Sequence, residues 1–213
     1  YSHRHLSDDE AAHTLLSNLD TPALADPRPI RFKTGRRVQQ WCQNVVSLGL
    51  SSGFLEPLES TSLHLVQQGL TRLIKLFPRN GIQPSDIEEY NRQSQFEFEK
   101  IRDFIILHYH LNRKTDSPFW RMCREAPKPE SLLRRIDLFV GSGRVFCEQE
   151  ELFRETAWEQ VMIGQGTTPQ DYHPLVDNLE DHQLREFMNS WQRIVDKTVA
   201  QMPSHNDFIA SIK

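Results

Sequence analysis

Residues 44–68, NVVSLGLSSGFLEPLESTSLHLVQQ, constrain this chain more than any other segment. An apolar run leads into a loop containing a glycine and a proline, and the loop leads directly into a helical pattern. Asn44 to Leu50 reads as a buried strand, rich in Val and Leu and ending at Gly49. SSGFLEPLES reads as a compact loop, with Pro57 near a helix start, where its missing N–H is not needed. From Leu63 the apolar positions Leu63, Val66, Leu70, Leu73, Ile74 and Phe77 follow a helical period until Pro78 and Gly81 stop it. Backbone N–H groups at such a helix start can bind an anion or the polar part of a cofactor. Two carboxylates, Glu56 and Glu59, share the loop and could act as acids, bases or positioning groups. The competing reading is a capped helix with two ordinary first-turn glutamates, favoured by the helix dipole.

Around this segment the chain reads as mostly helical. Ser7 is a plausible N-cap with Glu10 three residues on, the capping-box spacing, for a helix to about Asn18. TPALADPRP then breaks the pattern, and IRFKTGRR forms an extended run with a basic turn around Gly35. Further helices are expected over Ile87–Leu111, Pro129–Phe139, Glu150–Ile163 and Leu179–Val199, with Pro118–Cys123 a short turn or helix and with Gly164 and MPSH closing the last two helices. No internal repeat is visible. The fold class is therefore α/β with a mostly helical C-terminal region. Residues 1–77 form the α/β part and residues 78–213 the helical part.

Composition narrows the function classes. The 213 residues carry 25 Lys plus Arg against 29 Asp plus Glu, a formal charge of -4. That balance argues against broad nucleic-acid or anionic-membrane binding. No apolar run approaches the length of a membrane span, and the start YSHRHLSDDE shows no secretory signal. Cys42, Cys123 and Cys147 are odd in number and widely spaced, which reads as free thiols in a reducing, cytoplasmic compartment. His108 and His110 lie two apart, a poor spacing for one helix face, and no HExxH or Cys/His cluster exists, so no metal is expected. No Ser/His/Asp triad has a signature here. The absence of an initial Met suggests a fragment of a longer protein.

The central segment resembles the signature of the flavin-dependent tryptophan halogenase family. PRPIRFKTGRR, IRDFIILHYH, DSPFW and MPSHNDFI resemble its uncharacterised bacterial branch, so the likeness covers essentially the whole chain. It implies the C-terminal portion of such a protein: the end of a Rossmann-like, aromatic-hydroxylase-type FAD-binding domain, then a helical substrate-side domain. The family's GxGxxG fingerprint and WxWxIP motif are absent here. Its halogen-carrying lysine sits upstream, and Lys33, Lys75 and Lys100 do not take that role; Lys75 and Lys100 are expected on solvent-facing sides. The implied activity uses reduced FAD from a flavin reductase, oxygen, and chloride or bromide to halogenate an aromatic ring. The fragment alone should be inert. Alternatives are a non-catalytic helical binding module and a flavin monooxygenase relative. A homodimer is one assembly this reading allows.

By the same resemblance, Glu59 matches the glutamate beside the reacting substrate. It would orient the halogen species or accept the ring proton. Ser60 matches a supporting serine, with an ordinary N-cap as its competing role. Thr61 and Ser62 match the positions whose backbone N–H groups bind halide; the characterised tryptophan enzymes have glycine in place of Ser62. Leu50 and Leu63 match positions bordering the flavin, with core packing as the alternative. Gly53 and Pro57 shape the loop, and Glu56 ties it together. The basic group Arg31, Lys33, Arg36 and Arg37 meets FAD phosphate or a partner, or is a solvated turn. Tyr109, Phe119 and Trp120, with His108 and Trp158, are candidates for an aromatic substrate site, each with core packing as the alternative. The paired-tyrosine segment that grips free tryptophan is absent. That leaves another indole, a peptide-borne tryptophan or a phenol equally open.

Overall fold

The computed structural model describes residues 1–148 and 151–212, and helices dominate it. Helix α1 spans Asp8–Ser17 and opens with the expected capping box. The Glu10 N–H donates to Ser7 Oγ at 3.2 Å, and the Ser7 N–H donates back to Glu10 Oε2 at 2.8 Å.

Four two-residue strands follow: β1 (Gly35–Arg36), β2 (Trp41–Cys42), β3 (Val45–Val46) and β4 (Gly53–Phe54). They form two antiparallel pairs, β1 with β4 and β2 with β3. The expected strand over Asn44–Leu50 is thus reduced to β3, whose Val45 is exposed. Gly49, at φ 62, takes the left-handed conformation that ends extension, and Gly49–Ser51 coils into a 3-10 turn. The β2–β3 hairpin is tied to the long helix that follows by Asn91, and Tyr90 packs edge-on against Trp41 at 5.6 Å. Asn91 Oδ1 accepts the Gln40 and Trp41 N–H groups at 2.8 and 2.9 Å, and Asn91 Nδ2 donates to the Trp41 carbonyl at 2.8 Å.

A 3-10 turn at Pro57–Glu59 precedes α2 (Ser62–Lys75). The long helix α3 (Pro84–Leu111) is the backbone of the molecule. Its buried positions Tyr90, Ser94, Phe98, Ile101, Phe104, Ile105 and Leu107 recur at helical spacing. Helices α4 (Pro118–Glu125), α5 (Glu130–Ser142) and α6 (Glu155–Gly164) pack on its C-terminal half. Phe104 and Leu107 there join Leu132, Ile136, Phe139, Val145, Trp158 and Met162 in one core. The expected helix start at Glu150 falls on a residue outside the described set; α6 begins at Glu155. Beyond a 3-10 turn at Pro174–Asn178, α7 (Asp181–Gln201) and α8 (His205–Ser211) complete the chain.

A buried ion pair clamps the core. Arg135 grips Glu151 with two hydrogen bonds of 2.9 and 2.7 Å, and its guanidinium lies 4.1 Å over the Trp158 ring. Lys100 Nζ turns to the same group, 3.2 Å from Glu148 and 3.8 Å from Glu151, rather than to solvent as expected. Among the described residues, no helix is long and apolar enough to cross a membrane.

Candidate functional site

The SSGFLEPLEST segment folds as a tight arch between β4 and α2. Gly53 lets β4 lie against β1: a Cβ there would sit 2.7 Å from the Gly35 carbonyl oxygen. Pro57 starts the 3-10 turn, whose Ser60 N–H donates to the Pro57 carbonyl at 2.9 Å. Ser60 then adopts a left-handed conformation, φ 54, ψ 34, which reverses the chain into the helix. That conformation removes Ser60 from the N-cap of α2. The N-cap is Thr61, 3% exposed, and its side chain makes no capping bond. The first turn of any α-helix leaves its N–H groups without intrahelical partners. Here those groups start at Thr61 and Ser62 with no side chain of the cap closing over them.

Beside this helix start lies an open cavity of about 190 Å³. Leu50, Gly53, Ser62 and Leu63 line it together with Val66 and Phe98. Leu50 and Leu63 are 78% and 82% exposed, so core packing does not explain them. The apolar stripe that runs along α2 to Phe77 is largely open: Leu63, Leu70, Ile74 and Phe77 are all exposed, while Gly69 and Arg72 face inward. Close approach explains Gly69. A Cβ there would lie 2.6 Å from Leu48 and 3.2 Å from the Tyr90 hydroxyl. Arg72 is drawn in by Glu97, 2.8 Å away, and Gln93, 3.3 Å away. A second cleft of about 340 Å³ shares Leu50, Ser52 and Gly53 with the first and adds Lys33, Arg36, Arg37, Ser51 and Phe54. Arg31 is elsewhere, paired with Asp8.

The two loop carboxylates dock on consecutive residues of α3. Glu59 Oε1 lies 2.8 Å from His108 Nε2, and Glu56 accepts a hydrogen bond from the Tyr109 hydroxyl. Burial, then the Glu56 hydrogen bond and charge, push the Tyr109 hydroxyl well above its ordinary range. Burial and then the Glu56 charge also raise the Cys123 thiol. His108 Nδ1 lies 2.8 Å from the Phe104 carbonyl, whereas His110 Nδ1 lies 3.1 Å from the Arg124 carbonyl. The two histidines therefore serve different partners.

Tyr109, Phe119 and Trp120 come together beside this point. Tyr109 and Trp120 stack at 5.9 Å, Phe119 meets Trp120 edge-on at 5.0 Å, and Lys114 caps the Trp120 ring at 5.2 Å. All three rings are half-buried, so they pack on one another and keep an open side. Trp158 is buried in the core, 1% exposed, and is no substrate contact.

The sequence profile described as Tryptophan halogenase matches residues 1–181. This chain belongs to the tryptophan halogenase family. It is 35% identical over 191 residues to tryptophan 7-halogenase KtzQ of Kutzneria sp. (strain 744), covering 82% of this chain and 36% of KtzQ. The fold matches that of Xcc4156, a flavin-dependent halogenase from Xanthomonas campestris, with TM-score 0.95 and 46% identity over 99% of this chain and 43% of Xcc4156. It likewise matches BrvH, a flavin-dependent halogenase from Brevundimonas sp. BAL3, with TM-score 0.93 and 43% identity over 99% of this chain and 43% of BrvH. The chain thus spans less than half the length of these relatives.

Within the tryptophan halogenase fold, the residues singled out in the sequence fall into three adjoining groups. Leu50, Gly53, Ser62 and Leu63 share a cavity; Glu59 and His108 form a contact; Tyr109, Phe119 and Trp120 form an aromatic cluster. Sequence reasoning missed the tie between Glu59 and His108, 49 positions apart. A signal was present: His108 falls four residues after the core residue Phe104 and so extends the buried face of α3.

Proposed function

We propose that this chain is the C-terminal portion of an FAD-dependent halogenase that acts on an electron-rich, indole-like aromatic ring. One observation carries the proposal. The open first turn of α2, the apolar cavity at Leu50 and Leu63, and the Glu59 carboxylate all arise from one arch, residues 49–63, within the halogenase fold. Residues 1–77 would then be the last part of the FAD-binding domain and residues 78–213 the substrate side.

The residues present fit one edge of a flavin. A cavity of about 190 Å³ is smaller than the roughly 300–1,000 Å³ of whole-ligand sites, and its apolar lining suits a ring edge. Leu50 and Leu63 would border the cofactor, with Gly53 and Pro57 holding the arch in shape. When bound, reduced FAD with oxygen converts chloride or bromide to an electrophilic halogen. A flavin reductase would supply the reduced cofactor, in the cytoplasm. The N–H groups of Thr61 and Ser62 would hold halide by charge–dipole attraction at the helix start. Glu59 would orient the electrophile and stabilise positive charge on the ring as the carbon–halogen bond forms. It would then take the proton as the ring C–H bond breaks and its electrons restore aromaticity. Ser60 supports this geometry through its left-handed backbone. Tyr109, Phe119 and Trp120 would offer the substrate an aromatic wall.

The test is product analysis. The chain is joined behind the N-terminal part of Xcc4156 that it does not cover and supplied with reduced FAD, oxygen and bromide. Mass spectrometry then looks for brominated indoles, and for a peptide-borne bromotryptophan. The chain alone should give none. A fusion that binds FAD and oxygenates the indole instead would replace halogenation by hydroxylation.

A further inference from the structure

Glu59 has two carboxylate oxygens, and only one can meet the substrate if the other is held. Resting on the reading of Glu59 as the catalytic carboxylate, we propose that His108 is its positioning residue: it fixes Oε1 and leaves Oε2 to act on the ring.

The assignment begins with the tautomer. His108 Nδ1 lies 2.8 Å from the Phe104 carbonyl oxygen, one helical turn back. A carbonyl oxygen only accepts, so Nδ1 carries the hydrogen. Nε2 is left to face the loop, where Glu59 Oε1 stands at 2.8 Å. Contact at that distance holds Oε1 against the imidazole and couples the positions of the two side chains. The ion-pair contact is made by Oε1, which leaves Oε2 the freer oxygen.

The imidazole is itself locked. Its ring packs edge-on against Phe104 at 5.0 Å, and Phe104 is wedged between Phe153 and Trp158 in the core. Rigidity thus passes from the core through Phe104 to His108 and on to Glu59. The side chains of His108 and Glu59 are 18% and 29% exposed, so the pair sits at the edge of solvent. Next to it, Glu56 bonds to the Tyr109 hydroxyl, which fixes the other end of the Pro57–Glu59 turn on the same stretch of α3. A contact serving only to hold the loop would duplicate that anchor. The His108 contact adds control over which oxygen of Glu59 is free. Proton balance follows: the ring proton goes to Oε2, and the carboxyl returns it to water after the product leaves.

Two measurements test this. In the chain itself, ¹⁵N NMR of His108 should show Nδ1 protonated, and Glu59→Gln should move the Nε2 resonance while leaving Nδ1 in place. An Nε2 signal indifferent to Glu59→Gln overturns the contact, whatever the enzyme does. In the halogenase fusion, His108→Leu should lower kcat about tenfold or more with KM within about twofold. His108→Gln, whose amide can reach the same carboxylate, should recover part of the loss, and its partial rescue guards against misfolding of the leucine variant. His108→Leu should cost little further on a Glu59→Gln background, because the two act together. Full kcat in His108→Leu, with Glu59→Gln inactive, overturns the positioning role. Full kcat in Glu59→Gln removes Glu59 from the mechanism, and the proposal with it.

Discussion

Ser60 holds a left-handed conformation, φ 54, that a branched side chain resists. Ser60→Val should therefore destabilise the arch by about 1–3 kcal/mol, while Ser60→Gly stays close to the native stability; thermal unfolding of both variants checks this. Gly53→Ala meets backbone rather than a yielding side chain, at 2.7 Å from the Gly35 carbonyl and 2.8 Å from Arg36 Cα. It should part β1 from β4 and cost about 1–3 kcal/mol. Removing Glu151 would leave the buried Arg135 without the carboxylate that it grips. Glu151→Ala should cost about 3–5 kcal/mol, far more than Glu148→Ala at the half-exposed end of the network. Chemical denaturation reads both.

At the scale of elements, α1 should fray in acid. The Ser7 backbone N–H, and then its hydroxyl, hold the Glu10 carboxyl below its usual range. A carboxyl lowered by folding stabilises the folded state above its ordinary value of 4.5, and that contribution disappears as pH falls through the lowered value. Amide and Cα shifts of Asp8–Ser17 should follow this titration, and Glu10→Gln should flatten it. The same helix shows what sequence makes legible. Its cap, its length and its breaker are local, and Ser7 with Glu10 announced them. The long helix α3 was readable for a like reason, through its local start signal at Pro84 to Ile87. The arch was harder. Val45, Val46 and Leu48 promise a strand by composition, yet the left-handed Gly49 bends the chain and the pairing closes as a two-residue hairpin. Ser60 was a plausible N-cap by residue type, and a positive φ that no propensity reports placed it one residue outside. Asn91, Lys100 and His108 took their partners across loops, at separations where spacing carries no information. For α2, apolar periodicity gave the helix and its bounds but not what lies against the stripe.

Taken whole, the molecule has one well-packed region and one open one. The core around Phe104, Phe139 and Trp158 is sealed, and Phe104→Ala should cost about 3–5 kcal/mol. Helix α7, by contrast, exposes Phe187, Met188, Trp191, Ile194, Val195 and Val199, with none of them buried. Helical stability in proteins comes mostly from packing an apolar face, so α7 amides should exchange with solvent far faster than those of α3. Equal protection in hydrogen-exchange mass spectrometry would mean that α7 is covered in solution. In the proposed function the chemistry depends on the arch, where Glu59 meets His108 just ahead of the α2 helix start. Its most direct test compares turnover of the Xcc4156 fusion with and without Glu59→Gln, by mass spectrometry of the brominated indole at saturating bromide. Loss of kcat by roughly 10²–10⁴-fold in a folded, FAD-binding variant is the predicted result; turnover equal to that of the parent fusion would contradict it.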